Sequence, residues 1–250
     1  MFLHRKLDSQ DAYFVFNQDT VAVSGEFGFR VSGKQPQIWD AETGLVSAPD
    51  GWHEADGHTL VTMTLRPRES LRVVFDDCAA PARHRIPSKM LPLGDVQVHM
   101  EFEPQYKEKI APVETFEIHP LEDFRDTSIC YFGGVVTYRI TFDAPSSLRG
   151  CEELGLSLGE FSAVADVSLN GTPLGNVWHS GQILKIAGLR PAGNVLEVKV
   201  FTTMRNRVAG DLELYGELRH ISTPSSRDYL PEAGDLMSSG IAGPVEIAVF

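Results

Sequence analysis

Alternation of apolar and polar residues at every second position is the feature that most constrains how this chain can fold. In "VVTYRITF", residues 135–142, Val136, Tyr138 and Ile140 share one face of an extended strand, whereas Arg139 lies on the other. The segments "VLEVKVF" and "PVEIAVF" have the same period. Because successive side chains of a strand point to opposite faces, this pattern predicts strands with one buried and one solvated face.

Turn signals separate these predicted strands at short intervals. They occur at Ser24-Gly25, Ser32-Gly33, Asp50-Gly51, Asp56-Gly57, Asn170-Gly171, Ala192-Gly193 and Ala209-Gly210. The sequence has no long amphipathic helical pattern. Many short alternating strands joined by such turns predict an all-β fold, either a sandwich or a jelly roll, rather than a parallel α/β sheet.

A proline-rich segment divides the chain into two predicted domains. "CAAPARHRIPSKMLPLGD", residues 78–95, interrupts the alternation that precedes and follows it. We predict a small antiparallel β-domain over residues 1–77, a linker over residues 78–93 and a larger β-sandwich over residues 94–250. The second of these domains has an ordinary size for a single domain.

Composition and charge limit the partners of this chain. It has 250 residues, of which 42% are apolar, and a formal net charge of -12. That charge repels phosphate backbones and anionic lipid headgroups, so we predict no nucleic acid partner and no membrane partner. No apolar run is long enough to span a bilayer, and the first residues lack the apolar region of a signal peptide. The cysteines Cys78, Cys130 and Cys151 are too few for a disulfide framework, and we assign no metal site.

Three further patterns are typical of catalysis or metal binding, but each has a simpler interpretation. "GLSLG", residues 155–159, matches a nucleophile elbow, yet the leucines around Ser157 predict a strand instead of the required strand-to-helix turn. "WHEADGH", residues 52–58, contains two histidines and two carboxylates, but its Asp-Gly pair favours a hairpin. Carboxylate pairs such as Glu101 with Glu103 define a glycosidase only when they flank a cleft. We therefore predict no catalytic residue.

The segment "ADVSLNGTPLGNVW", residues 165–178, predicts a β-hairpin. Asn170-Gly171 suits a type I′ turn, which needs two positive φ angles, and Leu169 and Leu174 would anchor the hairpin in the core. Asn170-Gly171-Thr172 also fits the acceptor pattern for N-glycosylation. The hairpin explains the same residues without any modification.

Candidate sugar contacts lie near the ends of two predicted strands. Trp178 and His179 follow the hairpin, and Asn206, Arg207 and Asp211 lie just after the strand "VLEVKVF". An aromatic face stacks on the C–H surface of a sugar, and amide, guanidinium and carboxylate groups bind hydroxyls. In the alternative interpretation the tryptophan belongs to the core and Arg207 forms a structural ion pair with Asp211.

Ordered blocks of this sequence resemble part of a known enzyme family. "YFVFNQDTVAVSGEFGFRVSGKQPQIWDAETG" resembles the strand-rich segment after the catalytic barrel of glycoside hydrolase family 106, the α-L-rhamnosidase-like enzymes. "YFGGVVTYRITF", "LSLGEFSAVADVSLNGTPLGNVW", "AGNVLEVKVFTTMRNRVAGD" and "SSGIAGPVEIAVF" resemble the galactose-binding-like β-sandwich at the end of that family. This part is also similar to the sugar-binding domain of family 2 glycosidases. The chain departs from the family at Ser180, Gly181 and Met204, where proline or tryptophan is expected.

The resemblance implies an all-β chain with a small N-terminal β-domain followed by a galactose-binding-like jelly-roll β-sandwich. The family's catalytic barrel would precede residue 1, so we expect a non-catalytic accessory region that binds glycan weakly or supports a catalytic domain. The expected partners are carbohydrate and a glycoside hydrolase catalytic domain. No cofactor is expected, although analogy allows a structural calcium ion, and the parent enzyme would be secreted or periplasmic. The alternatives are a purely structural protein-interaction module and a glycoside hydrolase in its own right.

Overall fold

The computed structural model describes residues 1–41, 44–78, 80, 87–148, 153–222 and 229–250. The chain divides into two compact units, Met1–Ile86 and Pro87–Phe250. Each unit is built from antiparallel sheets. In the part of the chain described, no helix is long and apolar enough to cross a membrane.

The first unit consists of two sheets. Its strands are β1 (Phe2–Lys6), β2 (Asp11–Phe16), β3 (Val23–Phe29), β4 (Gln35–Trp39), β5 (Val46–Ser47), β6 (Gly51–Ala55), β7 (His58–Leu65) and β8 (Ser70–Asp76). One sheet has the order β1-β2-β8-β4-β5 and the other the order β3-β7-β6. Alternate residues of β2 and β7 are buried, as the period of their sequences requires.

The inner faces of these two sheets share one hydrophobic core. Tyr13 and Phe75 come from the larger sheet, and Phe29 and Val61 come from the smaller. The ring centroids of Tyr13 and Phe29 are 4.9 Å apart in an edge-to-face arrangement, which is favourable for aromatic pairs. The first unit is therefore a small β-sandwich.

The segment "WHEADGH" forms the hairpin that its Asp-Gly pair predicts. Strands β6 and β7 pair through Ala55 and His58. Asp56 and Gly57 between them have positive φ angles of 50° and 75°. The hairpin interpretation of residues 52–58 is thereby confirmed.

The second unit contains the remaining strands and two short α-helices. These are β9 (Lys89–Pro92), β10 (Val96–Pro104), β11 (Val113–Thr115), α1 (Thr127–Cys130), β12 (Gly134–Phe142), β13 (Leu154–Ser157), β14 (Glu160–Phe161), β15 (Val164–Leu169), β16 (Thr172–Val177), β17 (Ile183–Ile186), β18 (Asn194–Phe201), α2 (Arg205–Tyr215), β19 (Ile241–Gly243) and β20 (Glu246–Val249). Single turns of 3-10 helix cover Leu121–Asp123 and Ser146–Leu148. The sheets have the orders β11-β10-β12-β18-β15-β16, β17-β13-β20-β9 and β14-β19.

The six-stranded and four-stranded sheets bury their inner faces against one another. Ile140 and Leu196 from the first and Leu156 and Ile247 from the second belong to the same hydrophobic core. Each of these side chains is at most 1% exposed. The fold class predicted from the alternation, an all-β chain containing a β-sandwich, is confirmed.

Two local features differ from the sequence-based expectation. Residues 89–92 fall in the predicted linker but form β9, which pairs with β20 along the edge of the four-stranded sheet. The prolines near these residues interrupt the alternating pattern, so the strand was not predicted. Proline is tolerated there because β9 is an edge strand. Helix α2 was not expected, because its first seven residues include the polar side chains of Asn206, Arg207 and Asp211, all buried. Residues 79 and 81–86 of the predicted linker lie outside the described residues.

The Asn170-Gly171 hairpin joins β15 to β16 as predicted. Asn170 and Gly171 have φ angles of 51° and 80°. The Asn170 side chain also ties the turn to the sandwich: its Oδ1 accepts from the Val195 backbone N–H at 2.9 Å, and its Nδ2 donates to Asn194 Oδ1 at 3.1 Å. Asn194 is fully buried. The asparagine thus supplies both the backbone conformation and the polar partners that this buried corner needs.

Substitution of Asn170 tests these two contributions separately. Asn170→Ala loses the hydrogen bonds and places alanine at a positive φ, so we expect a loss of about 2–4 kcal/mol in the free energy of unfolding. Asn170→Gly keeps the turn and loses only the hydrogen bonds, so its loss should be smaller. Urea unfolding followed by circular dichroism measures both. Equal losses in the two variants would show that the preference of asparagine over alanine for a positive φ contributes nothing to the free energy of unfolding.

Candidate functional site

Strand alternation places Trp178 on the surface at the end of β16. Val177, the last residue of that strand, is 1% exposed and faces the core. Trp178, the next residue, is 60% exposed. The indole therefore projects from the outer side of the six-stranded sheet. A large aromatic side chain at this exposure is the surface feature that sugar stacking requires.

Two polar side chains fix the loop that carries Trp178. Gln182, which is 7% exposed, accepts from the Trp178 backbone N–H at 3.0 Å and donates to the Asn176 carbonyl at 2.9 Å. Ser180 Oγ accepts from the Phe161 N–H at 3.0 Å and donates to the Phe161 carbonyl at 2.9 Å. These contacts hold the loop against β14 and β16. Trp178 is thus presented by a preorganised backbone, which lowers the entropic cost of binding.

His179 packs against the indole of Trp178. The two ring centroids are 4.9 Å apart and the ring planes are perpendicular. Nδ1 of His179 lies 2.8 Å from the Ser180 carbonyl oxygen, which accepts a hydrogen bond when Nδ1 carries the proton. The edge-to-face pair restrains the orientation of the indole.

Asn206 is 3% exposed and fastens a distant segment to α2. Its Nδ2 donates to the Met237 carbonyl at 2.7 Å, and its Oδ1 accepts from the Met237 backbone N–H at 3.0 Å. The amide thus pairs with both the backbone N–H and the backbone carbonyl of one residue, as a neighbouring β-strand would. Both polar atoms of the amide therefore already have a protein partner.

Arg207 and Asp211 form a buried ion pair one turn apart on α2. Arg207 is 2% exposed and Asp211 is fully buried, and Arg207 Nη2 lies 3.0 Å from Asp211 Oδ1. Asp211 Oδ2 accepts from the backbone N–H groups of Arg219 and His220 at 2.9 and 2.8 Å. Burial by itself raises the pKa of Asp211, but the hydrogen bonds from His220 and Arg219 and the charge of Arg207 outweigh it, so the pKa is lowered.

Aromatic rings enclose the Arg207 guanidinium. Its central carbon lies 5.6 Å from the ring centroid of Tyr106 and 5.7 Å from that of Tyr131. Gly210 allows Tyr131 to pack directly on α2, since a Cβ at that position would lie 2.3 Å from the ring carbon Cγ. These contacts order α2 and the segment that follows it, as the ion-pair interpretation of Arg207 and Asp211 predicts.

The structure therefore gathers the five candidate residues into two groups. Trp178 and His179 share one surface loop, whereas Asn206, Arg207 and Asp211 are buried around α2. The residues that brace the Trp178 loop, Ser180 and Gln182, were missed in the sequence analysis. Neither side chain carries a local signal, because each acts on a segment that only the folded chain brings near.

The remaining catalytic and metal patterns are explained by the fold. Ser157 is 3% exposed within β13, and its Oγ accepts from the Gly159 N–H at 3.1 Å. Among the described residues, no group of three or more His, Cys, Asp or Glu side chains is placed to hold a metal ion. Cys78 and Cys130 are free thiols, and Cys151 lies outside the described residues.

Comparison with known proteins points to one enzyme family. The sequence profile of glycoside hydrolase family 106, described as alpha-L-rhamnosidase, matches residues 1–50. The solved structure of a rhamnosidase from Novosphingobium sp. PP1Y matches over 98% of this chain, with 32% sequence identity and a TM-score of 0.73. The resemblance to family 106 is confirmed.

The matches cover only a fraction of the proteins concerned. The chain spans 23% of the Novosphingobium rhamnosidase. A curated protein from Formosa agariphila, named as a putative beta-glucuronidase, is 38% identical over 90 residues, which amount to 36% of this chain and 8% of that protein. This chain therefore resembles one region of a glycosidase.

Substitution of Arg207 separates a structural from a ligand-binding role. Arg207→Ala leaves Asp211 buried without its cation, so we expect a loss of about 3–5 kcal/mol in the free energy of unfolding. Arg205→Ala on the same helix removes a partly exposed ion pair with Asp235 and should cost about 1 kcal/mol or less. Urea unfolding of both variants measures the difference. Similar small losses in both would contradict the structural role of Arg207.

Proposed function

We propose that this chain is a non-catalytic accessory region of a carbohydrate-active, α-L-rhamnosidase-like enzyme, which binds glycan weakly through the Trp178 loop. The proposal includes the assignment of the second unit as a galactose-binding-like jelly roll. The observation that carries it is the 60% exposure of Trp178 on a backbone braced by Ser180 and Gln182. An exposed indole on a braced backbone offers a flat apolar face on which a sugar ring can stack.

The small number of side chains available to contact a sugar limits the affinity for glycan. Trp178 offers one aromatic face, and its neighbour His179 is part of the same loop. Asn206, Arg207 and Asp211 are buried and already paired, so in this proposal they support the fold of the second unit and contribute no direct contact. A single stacking platform supports weak, lectin-like affinity.

A second observation favours support of a catalytic domain. An apolar row crosses the outer face of the five-stranded sheet through paired residues: Leu3, Phe14, Trp39 and Val46, interrupted by Arg72. Leu3 is 55% exposed and Trp39 is 37% exposed. The four apolar residues lie within the segment that matches the rhamnosidase profile. An exposed apolar row of this kind is typical of a protein-docking surface.

A glycan array followed by calorimetry tests the binding proposal. We expect weak binding that is lost in Trp178→Ala, because the variant removes the stacking face and leaves the braced loop in place. Phe116→Ala is the matched control, since Phe116 is 74% exposed and lies on another segment. Binding that is equal in Trp178→Ala and in the unaltered protein would exclude the Trp178 loop.

Complex formation tests the docking proposal. The catalytic domain of a family 106 rhamnosidase, such as that of Novosphingobium sp. PP1Y, is mixed with this chain and examined by sedimentation velocity. We expect a complex that Trp39→Glu weakens by about tenfold or more, because the variant places a charge in the apolar row. Trp178→Glu, on the other unit, serves as the control. Equal weakening by both variants would contradict docking through the five-stranded sheet.

A further inference from the structure

The register of the six-stranded sheet aligns Trp178 with further exposed apolar side chains. Val164 pairs with Phe201, and the neighbouring Ala165 pairs with Val177, the last residue of β16, which Trp178 follows directly in the chain. Phe201 also pairs with Val135. Val164 is 48% exposed and Phe201 is 39% exposed. Four residues, Val135 on β12, Phe201 on β18, Val164 on β15 and Trp178 just after β16, define an apolar strip, in which Val135 is partly buried.

A polar row runs parallel to the strip, at a distance of two residues from it on each strand. It consists of Asn176, Asp166, Lys199, Thr137 and Glu101. Asn176 Nδ2 donates to Asp166 Oδ1, and Lys199 Nζ lies 5.8 Å from the centroid of the Phe201 ring. Two residues of a strand span about 7 Å, so the polar row is within reach of the hydroxyls of a sugar lying on the strip.

We infer that the strip and the polar row together bind an extended neutral oligosaccharide, whose chain crosses the strands from Trp178 toward Val135. This inference rests on the proposed glycan binding at Trp178 and specifies its ligand. The C–H faces of successive sugars lie on the indole, on Val164 and on the Phe201 ring, and their hydroxyls face the amide, carboxylate, ammonium and hydroxyl groups of the polar row.

The dimensions of the strip set the length of the ligand. Neighbouring strands are about 4.8 Å apart, so the distance from Trp178 to Phe201 across β15 is about 10 Å and the distance to Val135 about 14 Å. One pyranose ring covers about one strand spacing. The strip therefore accommodates two or three consecutive sugars, and a monosaccharide would occupy only the Trp178 end.

The charge of the surface selects against acidic glycans. The polar row carries Asp166 and Glu101 beside one ammonium group, and Glu103, the cross-strand partner of Val135, lies at the far end of the strip. The chain as a whole has a formal net charge of -12. A uronate on the strip would meet more carboxylates than cations, so its binding is disfavoured relative to that of a neutral sugar of the same shape.

Affinity electrophoresis with polymers of both kinds provides the first test. The full chain is run in native gels that contain galactomannan, xyloglucan or arabinogalactan as neutral polymers, or polygalacturonate as the acidic one. We expect at least one neutral polymer to retard the protein and polygalacturonate to have a smaller effect. Stronger retardation by polygalacturonate than by every neutral polymer would overturn the neutral specificity.

Variants along the strip provide the second test. Phe201→Ala and Val164→Thr remove apolar contact at the two positions beyond the indole, and each should weaken retardation by about fivefold to tenfold, with thermal unfolding measured as the check on folding. Arg139→Ala is the control, because Arg139 is exposed on the same face, about 13 Å along β12 from Val135. Calorimetry with mono-, di-, tri- and tetrasaccharides of the retarding polymer should show affinity that rises up to the trisaccharide.

The outcomes distinguish this inference from the proposal on which it rests. Binding that requires Trp178 but is unchanged in Phe201→Ala and Val164→Thr, and equal for mono- and trisaccharides, would leave glycan binding intact and overturn the extended site. Absence of retardation by any polymer would overturn both. Concentration-dependent self-association that Phe201→Ala abolishes, without sugar binding, would show that the strip is a protein interface.

Discussion

The burial of one face of the central strands is the constraint on which the rest of this structure depends. In the six-stranded sheet, Val136 and Ile140 of β12 and Val198 of β18 are almost completely inaccessible, and the four-stranded sheet covers them with its own apolar face. Side chains alternate along a strand, so fixing the inner face also fixes which residues point outward. A slip of one residue would expose the core and bury the polar row, so the positions of the exposed residues are determined as strictly as those of the core.

The buried polar groups of the second unit pair with one another and with backbone groups where the chain leaves the sheets. Asn170 donates to Asn194 at the hairpin corner, and Arg207 forms an ion pair with Asp211 on α2. Each group lies where the chain leaves a sheet and backbone N–H or carbonyl groups would otherwise lack partners. Such networks are costly to interrupt, because a single substitution leaves the remaining partner buried and unsatisfied. They define how loops are attached to the sandwich.

Much of the fold could be predicted from the sequence, because alternation and turn chemistry are local. The strands around Tyr138 and Val198 and the turn at Asn170-Gly171 follow directly from their own residues. Helix α2 did not, since its buried face contains Asn206, Arg207 and Asp211, and a helix of that kind has no apolar stripe to detect. The pairing of Val164 with Phe201 depends on strand order, which no local pattern contains.

The two apolar rows on outer sheet faces are departures from the pattern that governs the rest of the chain. On the six-stranded sheet, the row of Thr137, Lys199 and Asp166 is polar, as a solvated face should be, whereas Val135, Phe201 and Val164 lie together in the row two residues away. Exposed apolar side chains that occur singly need no explanation, but several in one row do, and this holds although Arg72 interrupts the row through Leu3 and Trp39. The row through Leu3 and Trp39 belongs to the first unit, and the row through Trp178 belongs to the second.

In the proposed function, the two rows lie on separate units and have separate roles. A row that docks a catalytic domain needs area and shape, and it gains nothing from a braced loop. A row that binds sugar needs an aromatic face held in one orientation, which Ser180 and Gln182 provide beside Trp178. The first unit contains the segment that matches the rhamnosidase profile, and the docking role is proposed for this unit. In the proposed function, the second unit binds glycan through Trp178 and its strip, and the first unit docks to a catalytic domain.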